Sequence, residues 1–199
     1  MNLDNYRLLY VFSCVVLCLV ILSPTLAQVV SLPEGEKFSE LWLLGTDRML
    51  EGYPFDVSEG VSYNVSLGVR NQMGGLQYYR VYVKFRNQSE PLPNSTAGLP
   101  SPLAPIFEYS FFLGNNETWE REVSFSFEGV SFEENSSRVS KVLVGDYAVD
   151  VNKTAVWDEA GDVFYYQLFF ELWVYDSTVS YFQFHNRWVS LRLNMGGQL

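Results

Sequence analysis

The stretch Ser62-Tyr63-Asn64-Val65-Ser66-Leu67-Gly68-Val69-Arg70 decides the fold. Tyr63, Val65, Leu67 and Val69 are apolar while Ser62, Asn64, Ser66 and Arg70 are polar, and a period of two is that of a strand with one face buried and the other wet. The alternation returns from Tyr79 to Arg86, where Tyr79, Val81, Val83 and Phe85 stand against Arg80, Tyr82, Lys84 and Arg86. Between the two runs Met73-Gly74-Gly75-Leu76 turns the chain, either as a hairpin or as an arch between two sheets.

Outward from this pair, strands are predicted over Phe38–Leu44, Ile106–Leu113, Trp119–Phe127, Val139–Val151 in one or two pieces, Val163–Tyr175 and Thr178–Leu193. Each is set off by Gly, Pro, Asn or Asp, and Pro91, Pro93, Pro100, Pro102 and Pro105 make residues 88–105 a loop. No window after residue 27 has a helical period. At least seven strands with no helices to cover parallel pairs predict an all-β fold, an antiparallel β-sandwich of the immunoglobulin-like kind, with a closed barrel as the alternative.

Ahead of the strands, Leu8 to Leu26 is one apolar run. As a helix rising ~1.5 Å per residue it would reach ~28 Å, close to the ~30 Å hydrocarbon core of a bilayer. We read it as a single retained transmembrane anchor, because the apolar part of a secretory signal runs only about 7–15 residues. The competing reading is a signal cleaved after Thr25-Leu26-Ala27, with Pro24 breaking the helix ahead of the site. In either case the part beyond about residue 28 is exported, as the basic tip at Arg7 directs. The expected layout is a cytoplasmic tip (1–7), an anchor or signal (8–27), a linker (28–36) and an extracytoplasmic domain (37–199).

Both cysteines, Cys14 and Cys18, fall inside the apolar run, so the exported domain has no thiol for a disulfide, a zinc site or a nucleophile. Burial of apolar area must then supply its stability, and the missing disulfides point toward a prokaryotic cell surface. The formal net charge is −10 and no Lys/Arg cluster is present. That field repels nucleic acid and anionic lipid headgroups, so nucleic acid is not an expected partner.

Asn-x-Ser/Thr acceptors stand at Asn64, Asn87, Asn94, Asn116, Asn135 and Asn152, where chance would give about one or two. They are candidate N-glycosylation sites and mark positions expected to face solvent. Asn, Ser and Thr are also ordinary turn residues.

The run Phe169-Phe170-Glu171-Leu172-Trp173-Val174-Tyr175, with Phe182-Gln183-Phe184-His185-Asn186-Arg187-Trp188 and Val189 to Asn194, resembles the closing signature of an archaeal family of unknown function. The stretches Phe38 to Gly45 and Gly52-Tyr53-Pro54-Phe55 to Asn71 are similar to its first strands. The resemblance implies an archaeal source and an exported immunoglobulin-like domain behind one or more membrane helices. It implies no activity.

No catalytic constellation is visible: there is no Gly-x-Ser-x-Gly elbow, no phosphate-cradling glycine loop, and a single histidine. The expected protein is not an enzyme and needs no cofactor or metal. Asp158, Glu159 and Asp162 around Gly161 could offer oxygens to calcium, but their spacing fits no EF-hand and reads as an acidic turn. His185, Arg187 and Trp188 could form a small recognition site, with a charged fork and a stacking face, or simply a kinked strand.

The strand Val163–Tyr175 is apolar on both faces, and its outer residues Tyr165, Phe169 and Trp173 need a cover. That cover is expected to be either the chain's own stretch 129–161, or another protein or a glycan. Tyr78 and Tyr82, alternating with Arg80, Lys84 and Arg86 on an outer strand face, could hold a sugar or an acidic neighbour, or are simply good strand residues. The expected function is therefore that of a membrane-anchored surface protein making protein or envelope contacts, with a carbohydrate-binding module as the alternative.

Overall fold

The computed structural model describes residues 3–29, 36–159, 161 and 163–196. They divide into two compact units, Met1–Glu36 and Lys37–Leu199. The first is the helix α1 (Leu3–Val29), which continues through Pro24 rather than ending before it. Its described side chains, residues 6, 7 and 9–21, are all exposed, Cys14 and Cys18 included. Among the described residues no helix is long and apolar enough to cross a membrane; the side chains of residues 22–26, the end of the apolar run, lie outside them.

The second unit is all β. Its strands are β1 (Phe38–Leu44), β2 (Asp56–Val57), β3 (Tyr63–Gln72), β4 (Gln77–Asn87), β5 (Phe107–Leu113), β6 (Thr118–Glu133), β7 (Ser136–Val144), β8 (Tyr147–Asp158), β9 (Val163–Asp176) and β10 (Tyr181–Met195). Hydrogen bonds run β1-β3-β6-β7-β8-β9-β10-β2, and β4 joins β9 to β5. The end of β8 bridges the two halves through Trp157 opposite Phe164 and Asp158 opposite Val163. One continuous sheet thus curls until β4, β5 and β9 face β6, β7 and β8.

The facing residues close the core. Phe85 of β4 meets Phe127 of β6 at 5.7 Å and stacks on Tyr166 of β9 at 5.3 Å. Phe111 of β5 stacks on Trp119 of β6 at 4.1 Å. Tyr166 carries its hydroxyl into the core and spends it there, donating to the Ser137 carbonyl at 2.8 Å and accepting from the Ala155 N–H at 3.2 Å. The Tyr79 hydroxyl does the same with Ser39 Oγ at 2.7 Å and Asn71 Oδ1 at 3.1 Å. A buried hydroxyl without such partners would be costly.

Every residue assigned to the inner faces of the two opening runs is buried, except Tyr63, which is half-buried. Met73 to Leu76 forms an arch, since β3 pairs with β1 and β6 while β4 pairs with β5 and β9. The stretch Val139–Val151 is the two-piece case, β7 and β8, folded at Gly145, whose φ of 59° suits glycine. Two expectations need correction. The strand pairing is not wholly antiparallel, because β2, too short to register in the sequence pattern, lies parallel to β10. The last strand starts at Tyr181, not Thr178, because Asp176 to Ser180 is spent on the turn.

The outer side of β3 is also partly covered. The indole of Trp42 lies directly over Gly68, so close that a Cβ there would fall 2.0 Å from its ring. Glycine at 68 is the residue that lets β1 lay an aromatic lid on the sheet.

Register places the turns at two ends. Phe38 opposite Gln72, Gln77 opposite Leu113 and Tyr181 opposite Asp176 put the start of β1, the arch 73–76, the end of β5 and the β9–β10 turn together. The β6–β7 turn after Glu133 and the end of β8 lie at the other end, where Met195 pairs with Phe164.

A candidate contact face on the outer sheet

The outer face of β5-β4-β9-β10 follows from the pleat: on β4 it carries Tyr78, Arg80, Tyr82, Lys84 and Arg86, and on β9 Tyr165, Gln167, Phe169, Glu171, Trp173 and Tyr175. Register sets Phe182 beside Tyr175, Phe184 beside Trp173 and Trp188 beside Glu171.

Part of this face is covered by the chain itself, by a segment other than the expected 129–161. The proline-rich loop 88–105 does it, held by a buried ionic latch. Lys84 Nζ lies 2.8 Å from Glu171 Oε2 and donates to the Ser101 carbonyl at 2.8 Å. Glu171 Oε1 accepts from the Ser101 N–H at 2.8 Å, and Oε2 accepts from Trp173 Nε1 at 3.1 Å. Glu171 and Phe169 are 0% exposed. Phe169, with no exposed surface, has none to offer a partner, and the ion pair beside it ties the loop to the sheet. The stretch 129–161 was the wrong candidate because β7 and β8 are taken up in the opposing half of the sheet.

What the loop leaves open is aromatic. Tyr78 stacks on Phe112 at 4.3 Å and meets the edge of Phe182 at 5.0 Å; Tyr175 packs on Phe182 at 5.4 Å; Trp173 stands edge-on to Tyr82 at 5.4 Å and 5.9 Å from Phe184. In the middle the Arg80 guanidinium lies 4.1 Å above the Phe182 ring, donates to Ser110 Oγ at 3.1 Å and to the Tyr82 hydroxyl at 3.3 Å, and pairs with Glu108 at 3.6 Å. The Tyr82 hydroxyl, against some desolvation and with help from Glu108, raises the Arg80 pKa above its already high ordinary value. The result is a ridge of exposed and half-buried rings around one fixed cation.

The other candidates are dispersed. Tyr165 is capped by the Arg192 guanidinium at 4.6 Å, and Arg192 also pairs with Asp158 at 3.6 Å. Arg187 and Trp188, adjacent on an extended strand, point to opposite faces, Arg187 opposite Leu172 and Trp188 opposite Glu171. They form no joint fork and stacking face. His185 and Asn186 are the extra residues of a β-bulge between Phe184 and Arg187, with Asn186 at φ 55°. Among the described residues no group of three or more His, Cys, Asp or Glu is placed to hold a metal ion; Asp162 lies outside them.

Burial first, then the neighbouring Arg187 charge, pushes the His185 imidazole below its ordinary range. A depressed histidine binds its proton more readily in the unfolded chain. Its contribution to stability is thus complete above the unfolded value and is lost as pH falls from about 6.5 toward the folded value. Replacement by a non-titrating residue, His185→Gln, is expected to flatten that part of the stability-pH curve, read as unfolding midpoints at successive pH values. An unchanged acid limb would assign it to the carboxylates.

The glycosylation candidates separate by exposure. Asn94, Asn116, Asn135 and Asn152 are exposed, and Asn64 and Asn87 are half-buried. Asn87 is also engaged, its Nδ2 donating to the Thr154 carbonyl at 2.8 Å and its Oδ1 accepting from the Ser89 and Glu90 N–H groups. Glycopeptide mapping of protein from its native host is expected to find sugar on Asn94, Asn135 and Asn152 and none on Asn64 or Asn87.

No curated protein matches the chain. Among solved structures, the CARDB domain of a Pyrococcus furiosus protein, in complex with di-metal ions, is similar at a TM-score of 0.39 and 9% identity, over 83% of this chain and 94% of that one. A β-glucosidase from Listeria innocua, in complex with isofagomine, is similar at a TM-score of 0.36 and 11% identity, over 81% of this chain. The chain spans only 16% of the length of that enzyme. Likenesses this distant carry no argument about what the face binds. The model of a domain of unknown function, DUF1616, matches residues 32–152, from before β1 into β8, and stops short of β9 and β10. By that match over more than half its length, the chain belongs to the DUF1616 family.

Proposed function

We propose that this is a membrane-anchored, N-glycosylated surface protein of archaeal type, whose β domain is an immunoglobulin-like sandwich making non-catalytic protein or envelope contacts. The observation that carries the reading is the open aromatic ridge Tyr78, Tyr82, Phe112, Trp173, Tyr175, Phe182 and Phe184 around Arg80. Rings and arginine are the residue types that dominate contact energies between proteins. The apolar run Leu8 to Leu26 supports the anchor, and the four exposed sequons support export and modification. The curling of one sheet onto itself across Phe85, Phe127 and Tyr166 supports the sandwich.

The carbohydrate reading ranks second for a geometric reason. A sugar stacks on the open face of a ring, whereas Tyr78 has one face against Phe112 and an edge of Phe182 beside it. With a face of Tyr78 taken by Phe112 and a face of Phe182 by Arg80, the ridge suits a partner's side chains better.

The test is photo-crosslinking in intact cells of the native host, with p-benzoylphenylalanine placed at Phe184 on the ridge and at Lys141 on β7 as the control. A discrete protein adduct from position 184 alone, weakened by Arg80→Glu, is the expected result. Adducts from both positions alike, or from neither, would end the proposal, and an adduct that collapses on deglycosylation would favour the sugar reading.

A further inference from the structure

The edge of a sheet is a row of N–H and C=O groups with which any extended chain can pair, and proteins close such edges by shortness, charge, bulges or cover. Four strands at the edges of this domain carry such a device. β2 has only two residues. β10 is bent by the bulge at His185 and Asn186 and carries Arg187 and Arg192. β8 has Asn152 at φ 47° between Asp150 and Lys153, and its Thr154 and Val156 carbonyls accept from the Asn87 and Gln88 side chains at 2.8 and 2.5 Å. On β1 the Tyr53 hydroxyl donates to the Leu43 carbonyl at 2.8 Å.

β5 has none of them. Among the described residues it pairs with β4 alone, in an unbroken register from Phe107 opposite Val83 to Leu113 opposite Gln77. The strand Phe107-Glu108-Tyr109-Ser110-Phe111-Phe112-Leu113 has no Lys, Arg or Pro, and its one charge, Glu108, is matched by Arg80 on β4 at 3.6 Å. The packing beneath it is also unfinished. Phe107, Tyr109 and Phe111 are half-buried, whereas Val83, Val81 and Tyr79, their partners in register on β4, are 0% exposed. A strand added beside β5 would cover these rings as β5 covers β4.

The strand itself indicates the occupant. Two copies of β5 laid antiparallel pair over the whole strand in one register, the one centred on Ser110, in which Phe107 meets Leu113 of the second copy. In that register Tyr109 meets Phe111 on the inner face, while Ser110 meets Ser110 and Glu108 meets Phe112 on the outer face. Rings stand opposite rings, and no like charges stand opposite each other.

We propose that the chain forms a two-fold dimer through β5, the two sheets joining edge to edge in the register centred on Ser110. The contact is isologous, each copy giving and receiving the same groups. Antiparallel pairing puts the two-fold axis across the sheet, so both aromatic ridges lie on one surface of the joined sheet. The net charge of −10 on each copy opposes approach, but at physiological ionic strength that field is screened beyond about 8 Å, and the contact is local. The dimer needs neither the anchor nor the glycans, and it shares with the ridge only Phe112.

The test uses the full chain in detergent, with Cys14→Ser and Cys18→Ser. Ser110→Cys and Glu108→Cys are introduced separately; both positions are exposed, and retained strand signal in circular dichroism is checked first. Across the two-fold axis residue 110 faces its own copy, within reach of a disulfide. Residue 108 lies four positions from its copy, about 14 Å along the strands, beyond the ~7 Å limit. Covalent dimer from position 110 and none from 108 under mild oxidation is the expected result. A charge swap at position 112, 63% exposed, checks the register through Glu108 of the second copy. Phe112→Glu should raise the dimer dissociation constant, read by sedimentation, at least about tenfold above that of Phe112→Lys, although both remove the same ring. Equal crosslinking at 108 and 110, or equal effects of Glu and Lys at 112, overturns the register and with it the proposal. Protein that stays monomeric and uncrosslinked, while the adduct from position 184 persists in cells, overturns the dimer and leaves the ridge reading standing.

Discussion

Glu171→Leu is expected to destabilise the domain by about 3–5 kcal/mol, because it strands a buried lysine charge. Lys84 is buried between β4 and the loop 88–105, and its ammonium has the Glu171 carboxylate and the Ser101 carbonyl as partners. Without the carboxylate one partner remains, and the Ser101 N–H and Trp173 Nε1–H lose their acceptor as well. Two effects should follow together in urea unfolding followed by tryptophan emission and in limited proteolysis. The midpoint falls, and cleavage inside 88–105 accelerates ahead of global unfolding, since the latch is what ties the loop to the sheet. The double variant Lys84→Met/Glu171→Leu removes both charges and should be more stable than Glu171→Leu alone, as buried pairs replaced by apolar groups of similar volume commonly are. A double variant no better than the single one would show that the loop is held by its prolines and Ser101, and the ion pair is incidental.

Phe85→Ala is expected to cost a similar amount, about 3–5 kcal/mol, by a different route. The ring is 1% exposed and sits where the curled sheet meets itself, against Phe127 on one side and Tyr166 on the other. Its loss opens a cavity that neither neighbour can close, since Tyr166 is held by hydrogen bonds to Ser137 and Ala155. With no thiol in the domain to staple the layers, apolar packing of this kind carries the stability. Phe85→Leu, which keeps much of the volume, should recover most of the loss; equal midpoints for Leu and Ala at 85 would mean that the site collapses freely.

Alternation made the inner faces of β3, β4 and β9 legible, since a half-buried strand writes its burial into the sequence every second residue. Proline density did the same for the loop. What alternation does not encode is which segment lies on an outer face. The apolar outer face of β9 announced that something must cover it, but Phe169 reads as an exposed ring until Lys84, Glu171 and Ser101 are seen together, and those residues are 17 to 87 positions apart. A signal was present in hindsight: a lysine and a glutamate, each on a strand whose neighbours are apolar, are candidates for one another. β2 left no trace because two residues have no period. The bulge at His185 and Asn186 was visible as a polar interruption, yet the register offset it imposes, which sets Arg187 opposite Leu172 and Trp188 opposite Glu171, depends on counting one strand against its partner.

The entry of the chain through β1 has a mechanical consequence. This strand pairs on one side only, through the full register from Phe38 to Leu44 against β3, and its first residue lies at the end where the chain arrives. Antiparallel hydrogen bonds lie across the strand axis, so tension drawn along residue 37 loads the whole row of bonds at once, in shear, instead of peeling them singly from one end. Such a joint resists sudden pulling far better than its number of bonds would suggest for a zipper, and it is the geometry a protein needs if force reaches it along its N-terminal tether.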